Sequence, residues 1–515
     1  MAKNQHEYIL PETSSTADFI ASLQSIFTIR EEHEAVIWRT FYDTFDWRLF
    51  NQGASLELYK DQTSPKVYWR ADKDSARKIQ LGLSSVPRFI DHMPRSNLRK
   101  QLEPIQKMRE LLPRIKLKIK RQPIVVLNDE GRIIVRLNVD EYWFRPAKTR
   151  AAHVLGRRVS SKAVKGYQEN YDQYLDFIQQ LELRTAPDNM LKLALAETGH
   201  SAGDYTTKLN LLLDTDEPLI AALKEILARL SEIIHQNTPG TIRGEDTEYL
   251  HDYRVAVRKT RSVMSEIKDA LPPDIVNTYG KFFSMLGKYT GPVRDIDVYL
   301  IKLDKYQKNL SKEGKKQLKA FKLHLQELRK EKQAALKETL KSSEYKQAMK
   351  SWDEYLQQPV ENLDENSPQA RPVSTVADKL VWELYQQTLE QGNVITPESP
   401  ADDIHTLRKT CKKLRYVMEF FQSLYPARRI RELILVLKGL QDVLGDFNDY
   451  AVHIDMLKEF RKSVPEESVE KAMTAMIKEL KKKQAAVRAG FAEQYAQYSS
   501  QDHIDEFREI FVDSR

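Results

Sequence analysis

Two stretches of the chain carry the same side-by-side pattern of apolar and basic positions. In the first stretch, Leu250, Tyr253 and Val257 recur at three- and four-residue steps, which predicts an amphipathic helix. A basic stripe keeps the same steps and lies one residue further round, about 100° about the helix axis. It consists of His251, Arg254, Arg258 and Arg261. We expect the apolar face to enter a core and the neighbouring face to present a row of cations.

The same order returns later in the chain. His405 is followed by basic residues three, seven, eight and ten positions on, as His251 is in the first stretch. These residues are Arg408, Lys412, Lys413 and Arg415 in the second stretch, and Arg254, Arg258, Lys259 and Arg261 in the first. The aspartates Asp295 and Asp449 keep the spacing of the histidines, since 405 − 251 = 449 − 295 = 154. Two separated anchors with one spacing indicate a duplicated structural unit.

The apolar periodicity changes near residue 214. Before it, alternating segments predict strands, with helices at 18–27 and 171–183; the strands fall at 7–10, 34–43, 55–59, 66–70, 114–121, 124–127 and 132–139. Residues 114–121 alternate basic and apolar side chains, which predicts an antiparallel sheet with a basic inner face. After it, helices are predicted at 214–237, 247–270, 274–288, 295–311 and 315–350, then at 375–391, 401–425, 427–444, 449–463, 466–497 and 505–512. Residues 357–374, with three prolines, read as a surface linker.

Composition adds little to this division. The chain has 515 residues, enough for two or three domains, and its formal charge of +7 is modest, so anion specificity must come from where the cations lie. Cys411 is the one cysteine, which excludes an intramolecular disulfide and suits a reducing cytosol. The sequence shows no signal core and no apolar run near the roughly 20 residues of a membrane span. We therefore expect a cytoplasmic protein that does not contact membranes.

The N-terminal part resembles the CYTH superfamily, the triphosphate tunnel fold of adenylyl cyclases and thiamine triphosphatases. The matching residues are 42–49 leading into 53–56, the Asp129-Glu130-Gly131 hairpin, Asp140-Glu141, and Ser161-Lys162 with Gly166-Tyr167. The family's metal-binding Glu-x-Glu-x-Lys strand corresponds to Lys3, Gln5 and Glu7 here, and its phosphate-gripping Arg-x-Arg to Glu57 and Tyr59. These departures remove the ligands of metal-assisted phosphoryl chemistry, so we predict no catalytic residue, no metal and no cofactor. Lys118, Lys120 and Arg121 remain candidates for an anion contact; the alternative is a strand face that is solvated or neutralised by its own neighbours.

The repeated His-x-x-Arg helices, together with Arg294-Asp295-Ile296-Asp297, resemble a CHAD domain, the conserved histidine α-helical domain. The resemblance implies an α+β protein: an N-terminal antiparallel, tunnel-like CYTH domain at 1–170, a helical connector at 171–213, and an all-α CHAD domain at 214–512. The CHAD domain would consist of two pseudo-twofold-related helical bundles, repeat one at 214–356 and repeat two at 375–512. It also implies a basic surface or pore that binds inorganic polyphosphate, which would place the protein at polyphosphate granules and in phosphate homeostasis.

A linear phosphate chain favours a row of cations, because each neutralised phosphate releases condensed counterions. Arginine presents forked donors to phosphate oxygens and lysine a point charge. The predicted polyphosphate-binding residues are His251, Arg254, Arg258, Lys259, Arg261, Lys288, Arg294, His405, Arg408, Lys409, Lys412, Lys413, Arg415 and Lys438. The histidines have a structural alternative, in which each donates to backbone or to Asp295 or Asp449. We expect each aspartate to orient an arginine of its own copy.

Two other functions stay open. The N-terminal domain could be a metal-dependent triphosphatase or short-chain polyphosphatase, although its acidic strand is missing. The basic helices could bind RNA or inositol polyphosphates, but they lack the interleaved aromatic residues of single-strand binders and any duplex-reading motif. The sequence therefore favours a non-catalytic polyphosphate binder over a nucleic-acid binder. It does not decide the oligomeric state, and a homodimer is compatible with it.

Overall fold

The computed structural model describes residues 5–71, 74–146, 149, 151–186, 190–199, 201–306, 312–361, 363–396, 398–463 and 467–513. It divides into two compact units, Met1–Thr206 and Thr207–Arg515. The predicted connector at 171–213 therefore belongs mostly to the first unit. Lys3 and the predicted helix end at 307–311 lie outside the described residues.

The first unit is built on one antiparallel sheet. Its strands are β1 (Gln5–Leu10), β2 (Thr28–Glu31), β3 (Ala35–Asp43), β4 (Ala54–Lys60), β5 (Lys66–Ala71), β6 (Asp74–Gly82), β7 (Leu112–Leu127), β8 (Ile133–Phe144), β9 (His153–Ala163) and β10 (Arg184–Thr185). Among the described residues their order is β10-β1-β9-β8-β7-β3-β4-β5-β6, with β2 paired to β7. The helices are α1 (Thr16–Gln24), α2 (Arg48–Asn51), α3 (Asn97–Gln106), α4 (Gln168–Gln180) and α5 (Met190–Ala196), with a 3₁₀ turn at Ile90–His92.

The long strand β7 shows which face of the sheet is buried. Ile115, Leu117 and Ile119 are buried, and they share a core cluster with residues of α5. The alternating lysines point the other way: Lys116 is exposed and Lys118 is half-buried. The predicted basic inner face is therefore wrong for these lysines: residues on the two faces alternate along a strand, and burial of unpaired ammonium groups is costly, so the apolar face is the one that enters the core.

The second unit is helical. Its helices are α6 (Leu219–Arg243), α7 (Thr247–Glu266), α8 (Pro273–Tyr306), α9 (Lys312–Lys341), α10 (Ser343–Gln357), α11 (Val373–Asn393), α12 (Ala401–Phe420), α13 (Ala427–Ser463), α14 (Glu467–Tyr498) and α15 (Gln501–Arg508). Short 3₁₀ turns follow α7 and α12, and a π turn at Glu509–Asp513 ends the unit. The predicted α+β class, a sheet followed by helices, is confirmed. In the described part of the chain, no helix combines the length and apolar character that crossing a bilayer requires.

Several predicted helix ends are wrong, and packing explains them. The helices predicted at 274–288 and 295–311 are one helix, α8, which continues through Pro292 because Leu286 and Val293 on either side of it are both fully buried. Likewise α13 joins the predicted 427–444 and 449–463 helices, and α6 runs past Pro239 to Arg243. Conversely, the predicted 315–350 helix is interrupted at Ser342, whose hydroxyl caps α10.

The two repeats are joined by a reciprocal backbone contact. Pro218, which precedes α6, and Pro372, which precedes α11, form an antiparallel bridge. Leu219 N donates to Arg371 O at 2.9 Å, and Val373 N donates to Glu217 O at 3.0 Å. Each residue of one bond lies 154 positions from its counterpart in the other, which is the relation expected at a local twofold axis. The end of the predicted 357–374 linker is thus hydrogen-bonded rather than a detached surface segment.

A second contact repeats this relation inside the unit. The rings of Tyr299 on α8 and His453 on α13 stack with centroids 4.1 Å apart, and 453 − 299 is again 154. Both residues are buried. Burial lowers the pKa of His453 to about 4, so the imidazole is neutral at physiological pH. Equivalent positions of the two repeats therefore meet at two separate places.

The tight packing of α6 against α7 gives the first testable prediction. A Cβ on Gly240 would lie 2.1 Å from Cγ of Tyr249, so Gly240→Ala should destabilise the helical unit by about 1–3 kcal/mol through overpacking. The control is Gly490→Ala on α14, where a Cβ would meet no atom within 4 Å. We expect the control to be neutral or about 0.5–1 kcal/mol more stable. Urea denaturation measures both, and equal midpoints for the two variants would contradict the packing argument.

Candidate functional site

The two basic helices α7 and α12 contact each other through polar side chains. Lys259 Nζ lies 2.7 Å from Glu419, and Lys413 Nζ lies 2.9 Å from Glu266. Arg258 Nε donates to the hydroxyl of Tyr416 at 3.4 Å. The predicted apolar stripe of α7 is buried, including Leu250, Tyr253 and Val257. The apolar faces therefore fix the two helices in the core, and their basic stripes lie together.

A cavity of about 320 Å³, here called the central cavity, lies where the stripes meet. Both repeats contribute to its lining, and most of the side chains are cationic or polar. It is lined by His251, Arg254, Arg258, Arg294, Asp295, Val298, Arg408, Lys412, Asn448, Asp449, Val452 and His453.

A second cavity of about 600 Å³, here called the outer cavity, adjoins the first. Its lining consists of Arg258, Arg261, Ser262, Met264, Ser265, Val276, Gly280, Ser284, His405, Arg408, Lys409, Lys412, Lys413 and Tyr416. Arg258, Arg408 and Lys412 line both cavities. The three shared cations join the cavities into one basic site, with His251 in the central part and His405 in the outer part.

Glycines on α8 let the arginines of α7 approach closely. A Cβ on Gly287 would lie 2.9 Å from Arg261 Nη1, and one on Gly291 would lie 3.4 Å from Arg254 Nη1. Arg254 Nη1 also donates to Thr290 Oγ1 at 3.0 Å. The sequence Gly-x-x-x-Gly thus provides a groove in which the guanidinium groups rest against the helix backbone.

Four cations of the site form no ion pair with the described carboxylates. In the described part of the chain, no carboxylate lies within 4.0 Å of Arg254, Arg258, Arg408 or Lys412. Burial, followed by the neighbouring Arg258, lowers the pKa of Arg254 to about 10. Burial, followed by Arg408, Arg258 and Arg415, lowers the pKa of Lys412 to about 7. The cations of the site outnumber the nearby carboxylates of Asp295 and Asp449, which makes the site attractive to an anion.

The two aspartates lie among charged groups of both repeats. Asp295 has a raised pKa, first because it is buried; Arg254 of its own repeat opposes this rise, and Asp449 adds to it. Asp449 forms an ion pair with Lys302 of the other repeat at 2.8 Å, and its charge also opposes the lowering of the Arg408 pKa in its own repeat. The orientation of an arginine by each aspartate stays a prediction. His405 Nδ1 lies 3.0 Å from Asn448 Oδ1, so this histidine contacts the amide that stands in place of Arg294.

Some predicted residues lie away from the cavities. Lys259 is buried in its ion pair with Glu419. Arg415 lies 3.2 Å from the same glutamate and above the ring of Tyr416. Lys288 and Lys438 are exposed and line neither cavity. The structure thus brings together ten of the fourteen predicted residues, namely His251, Arg254, Arg258, Arg261, Arg294, His405, Arg408, Lys409, Lys412 and Lys413.

Among the residues that sequence reasoning missed are Tyr416 and His453, which line the cavities, and Lys302, which pairs with the lining residue Asp449. Tyr416 does not belong to the basic stripe that defined the repeat. The position equivalent to Lys302 in the second repeat is Met456, so this lysine is not repeated. His453 could have been found, because the 154-residue offset pairs it with Tyr299. Aromatic residues at equivalent positions of the two repeats indicate that the repeats can stack against each other there.

In the first unit several arginines form ion pairs with carboxylates of the same unit. Arg39 lies 2.9 Å and Arg70 3.5 Å from Glu57, a buried carboxylate. Arg121 pairs with Asp140 at 2.7 Å. On β1, which corresponds to the metal-binding strand of the CYTH superfamily, Glu7 lies 3.4 Å from Arg158. Among the residues described, no group of three or more His, Cys, Asp or Glu side chains is arranged to hold a metal ion.

Comparison with known proteins identifies the helical part. A family profile described as "CHAD domain" matches residues 225–458, which confirms the predicted resemblance there. The chain is similar to the solved CHAD domain of the plant Ricinus communis, with 26% identity over 56% of this chain and 94% of that one and a TM-score of 0.48. It is also similar to PptA from Streptomyces chartreusis, with 14% identity over 54% and 99% of the two chains and a TM-score of 0.44.

The first unit has its own similar structures. One is a putative adenylyl cyclase from Hippeastrum described as having a dominant triphosphatase activity, with 11% identity over 39% of this chain and 99% of that one and a TM-score of 0.26. Another is a putative adenylate cyclase from Bacillus halodurans, with 11% identity over 36% and 92% of the chains and a TM-score of 0.26. No curated protein sequence matches the chain.

The repulsion around Lys412 predicts a pH-dependent stability. Its pKa of about 7 in the folded protein lies below the unfolded value of 10.5, so folding releases a proton between these pH values. Unfolding free energy should therefore rise as pH increases through this window. Lys412→Met should stabilise the protein by about 2 kcal/mol at pH 6, a figure reduced for solvent screening, and the gain should fade toward pH 10. Thermal melts at pH 6 and pH 9 measure this, and an equal effect at both would contradict it.

Proposed function

Because residues 225–458 are a CHAD domain, we propose that the protein is a non-catalytic binder of inorganic polyphosphate, held at the joined central and outer cavities. The observation that supports this most is the wall of three cations, Arg258, Arg408 and Lys412, which lines both cavities. These side chains have no carboxylate partner among the described residues. A ligand that spans the wall gains from all of them at once.

The shape of the site favours a linear polyanion. The two cavities adjoin along the α7 and α12 pair, so a chain can pass from Arg254 in the central cavity to Lys409 in the outer one. Arginines can donate in a forked manner to phosphate oxygens, whereas lysines supply charge without fixed direction. A compact inositol polyphosphate would occupy one cavity and leave the cations of the other without partners. RNA would place its bases along the same path. The described lining offers no row of aromatic rings on which these bases could stack.

Affinity for long chains is the property that would bring the protein to polyphosphate granules. Each additional phosphate presented to the cations releases further counterions, so binding should strengthen with chain length until the site is filled. Granule location is therefore part of the proposal and follows from the same electrostatics. A fluorescent fusion can be observed in cells that contain granules. If it stays diffuse while the purified protein binds long chains, granule location is contradicted and polyphosphate binding is not.

Neutralising the shared wall tests the site. Arg258→Gln with Arg408→Gln should weaken binding of long-chain polyphosphate about 100-fold or more, because two charge-assisted hydrogen bonds are lost. The slope of log K against log salt should fall by about 1.4–1.8, the value for two phosphate contacts. Fluorescence titrations at several salt concentrations measure both quantities.

The matched control replaces two predicted cations that lie outside the cavities. Lys288→Gln with Lys438→Gln removes the same formal charge from exposed positions, and we expect affinity within about threefold of the unaltered protein. If the control weakened binding as much as the wall variant, long-range charge rather than the cavities would hold the ligand. Phosphate release from tripolyphosphate with Mg²⁺ by the full chain would instead favour a triphosphatase.

Binding should consume a proton through Lys412. Its pKa of about 7 makes it partly neutral in the empty site, and adjacent phosphates should raise this pKa. Affinity should therefore decrease as pH rises from 7 to 9, by up to about tenfold per pH unit. Calorimetry in two buffers of different ionisation enthalpy counts the proton. Lys412→Arg should remove both the pH dependence and the proton uptake, and their persistence in that variant would assign them to another group.

A further inference from the structure

A row of aromatic and basic side chains crosses the outward face of the first unit. Trp38 on β3 is in register with Lys118 on β7, and Lys118 is in register with Trp143 on β8. Paired residues of adjacent strands point to the same face, so the two indoles flank the lysine. With strands about 4.8 Å apart, the tryptophan Cα atoms are roughly 10 Å from each other.

This row is the floor of a groove of about 610 Å³. Its cationic and aromatic lining is Trp38, Lys116, Lys118, Lys120, Trp143, Phe144 and Arg145. Lys116 Nζ lies 4.4 Å from the ring centroid of Trp38, and Lys120 Nζ lies 4.9 Å from that of Trp143. Within the described residues, none of these three lysines pairs with a carboxylate. The groove therefore offers uncompensated cations directly beside π-faces.

The tryptophans are held at the surface rather than used as core. Trp38 is 40% exposed, whereas Trp47 and Trp69 of the same unit are at most 3% exposed. Trp143 Nε1 donates to Glu141 Oε1 at 2.6 Å, and the same carboxylate binds Arg157 at 2.8 Å. This clamp fixes the orientation of the Trp143 ring. Leaving large rings open to water gives up hydrophobic burial, which a ligand with flat apolar faces would recover.

We propose that this groove binds a single strand of nucleic acid, with bases stacked on Trp38 and Trp143 and phosphates on the lysines of β7. Interleaved rings and cations are the arrangement that non-specific single-strand binding requires, since every base has a π-face and every nucleotide a charge. Polyphosphate and acidic peptides would use Lys116, Lys118 and Lys120 but leave the indoles without a role. The site is independent of the polyphosphate site of the helical unit.

The test uses the full chain carrying Arg258→Gln and Arg408→Gln, so that the cations of the helical unit do not contribute. A fluorescein-labelled single-stranded oligoadenylate of 12 nucleotides should bind and quench tryptophan fluorescence. Trp38→Ala in this background should weaken binding about tenfold or more, the loss of one stacked base, while Trp38→Phe should retain most of the affinity. Lys118→Ala should weaken it severalfold and lower the salt slope by about 0.7.

The control is Lys330→Ala with Lys332→Ala, two lysines of α9 whose ammonium groups pair with Glu327 and Glu331, and it should leave oligoadenylate binding unchanged. Circular dichroism establishes that each variant is folded. The proposal would be overturned by unaltered affinity in the folded Trp38→Ala and Lys118→Ala variants. It would also be overturned if duplex RNA, whose bases cannot stack on the indoles, competed as well as unlabelled single strand. Loss of polyphosphate binding in the parent protein has no bearing on either result.

Discussion

The site of the helical unit depends on one electrostatic constraint: several cations are held out of bulk water beside a smaller number of carboxylates. Arg254, Arg408 and Lys412 all have pKa values lowered chiefly by burial. Such an arrangement opposes folding unless the surrounding packing outweighs it. The helices α7 and α12 provide this packing through continuous apolar faces, in which Tyr253, Leu407 and Leu414 are fully buried. The stability of the core is what allows the repulsion to persist.

The duplication provides more cations at one site than a single helix could. A helix can expose only a narrow basic stripe if its opposite face is to enter a core. Two copies related by a local twofold axis place two such stripes against the same cavities, and Arg258 of one repeat and Lys412 of the other occupy equivalent positions. The glycines of α8 then allow the arginine heads to lie against backbone. A basic surface of this width is beyond a single helix.

The sequence predicted the parts of this structure that depend on local periodicity. The apolar and basic stripes of α7 and α12 follow from spacing within about a dozen residues, and the duplication follows from the 154-residue offset. The sequence-based prediction failed where tertiary packing determines the end of a helix. Pro292 lies inside α8, where Leu286 and Val293 on either side of it are both buried in the core.

The face of β7 is a different kind of failure. Alternation shows that Lys116 and Leu117 lie on opposite sides, but it does not say which side a helix such as α5 will cover. The contact of Asp449 with Lys302 was missed for the same reason, since Lys302 lies on α8 of the other repeat and its equivalent position is Met456. Contacts between non-equivalent positions leave no trace in a repeat.

The bridge at Pro218 and Pro372 bears on how the two halves of the helical unit meet. Each half supplies one donor and one acceptor to the other, and one large core cluster contains both Leu223 and Val381. A polypeptide with one half alone would leave the amide of Leu219 and a broad apolar surface exposed. A chain of that length would restore the same contacts by pairing with a second copy of itself about a twofold axis. The two repeats therefore meet in the way that two identical subunits meet across a symmetric interface.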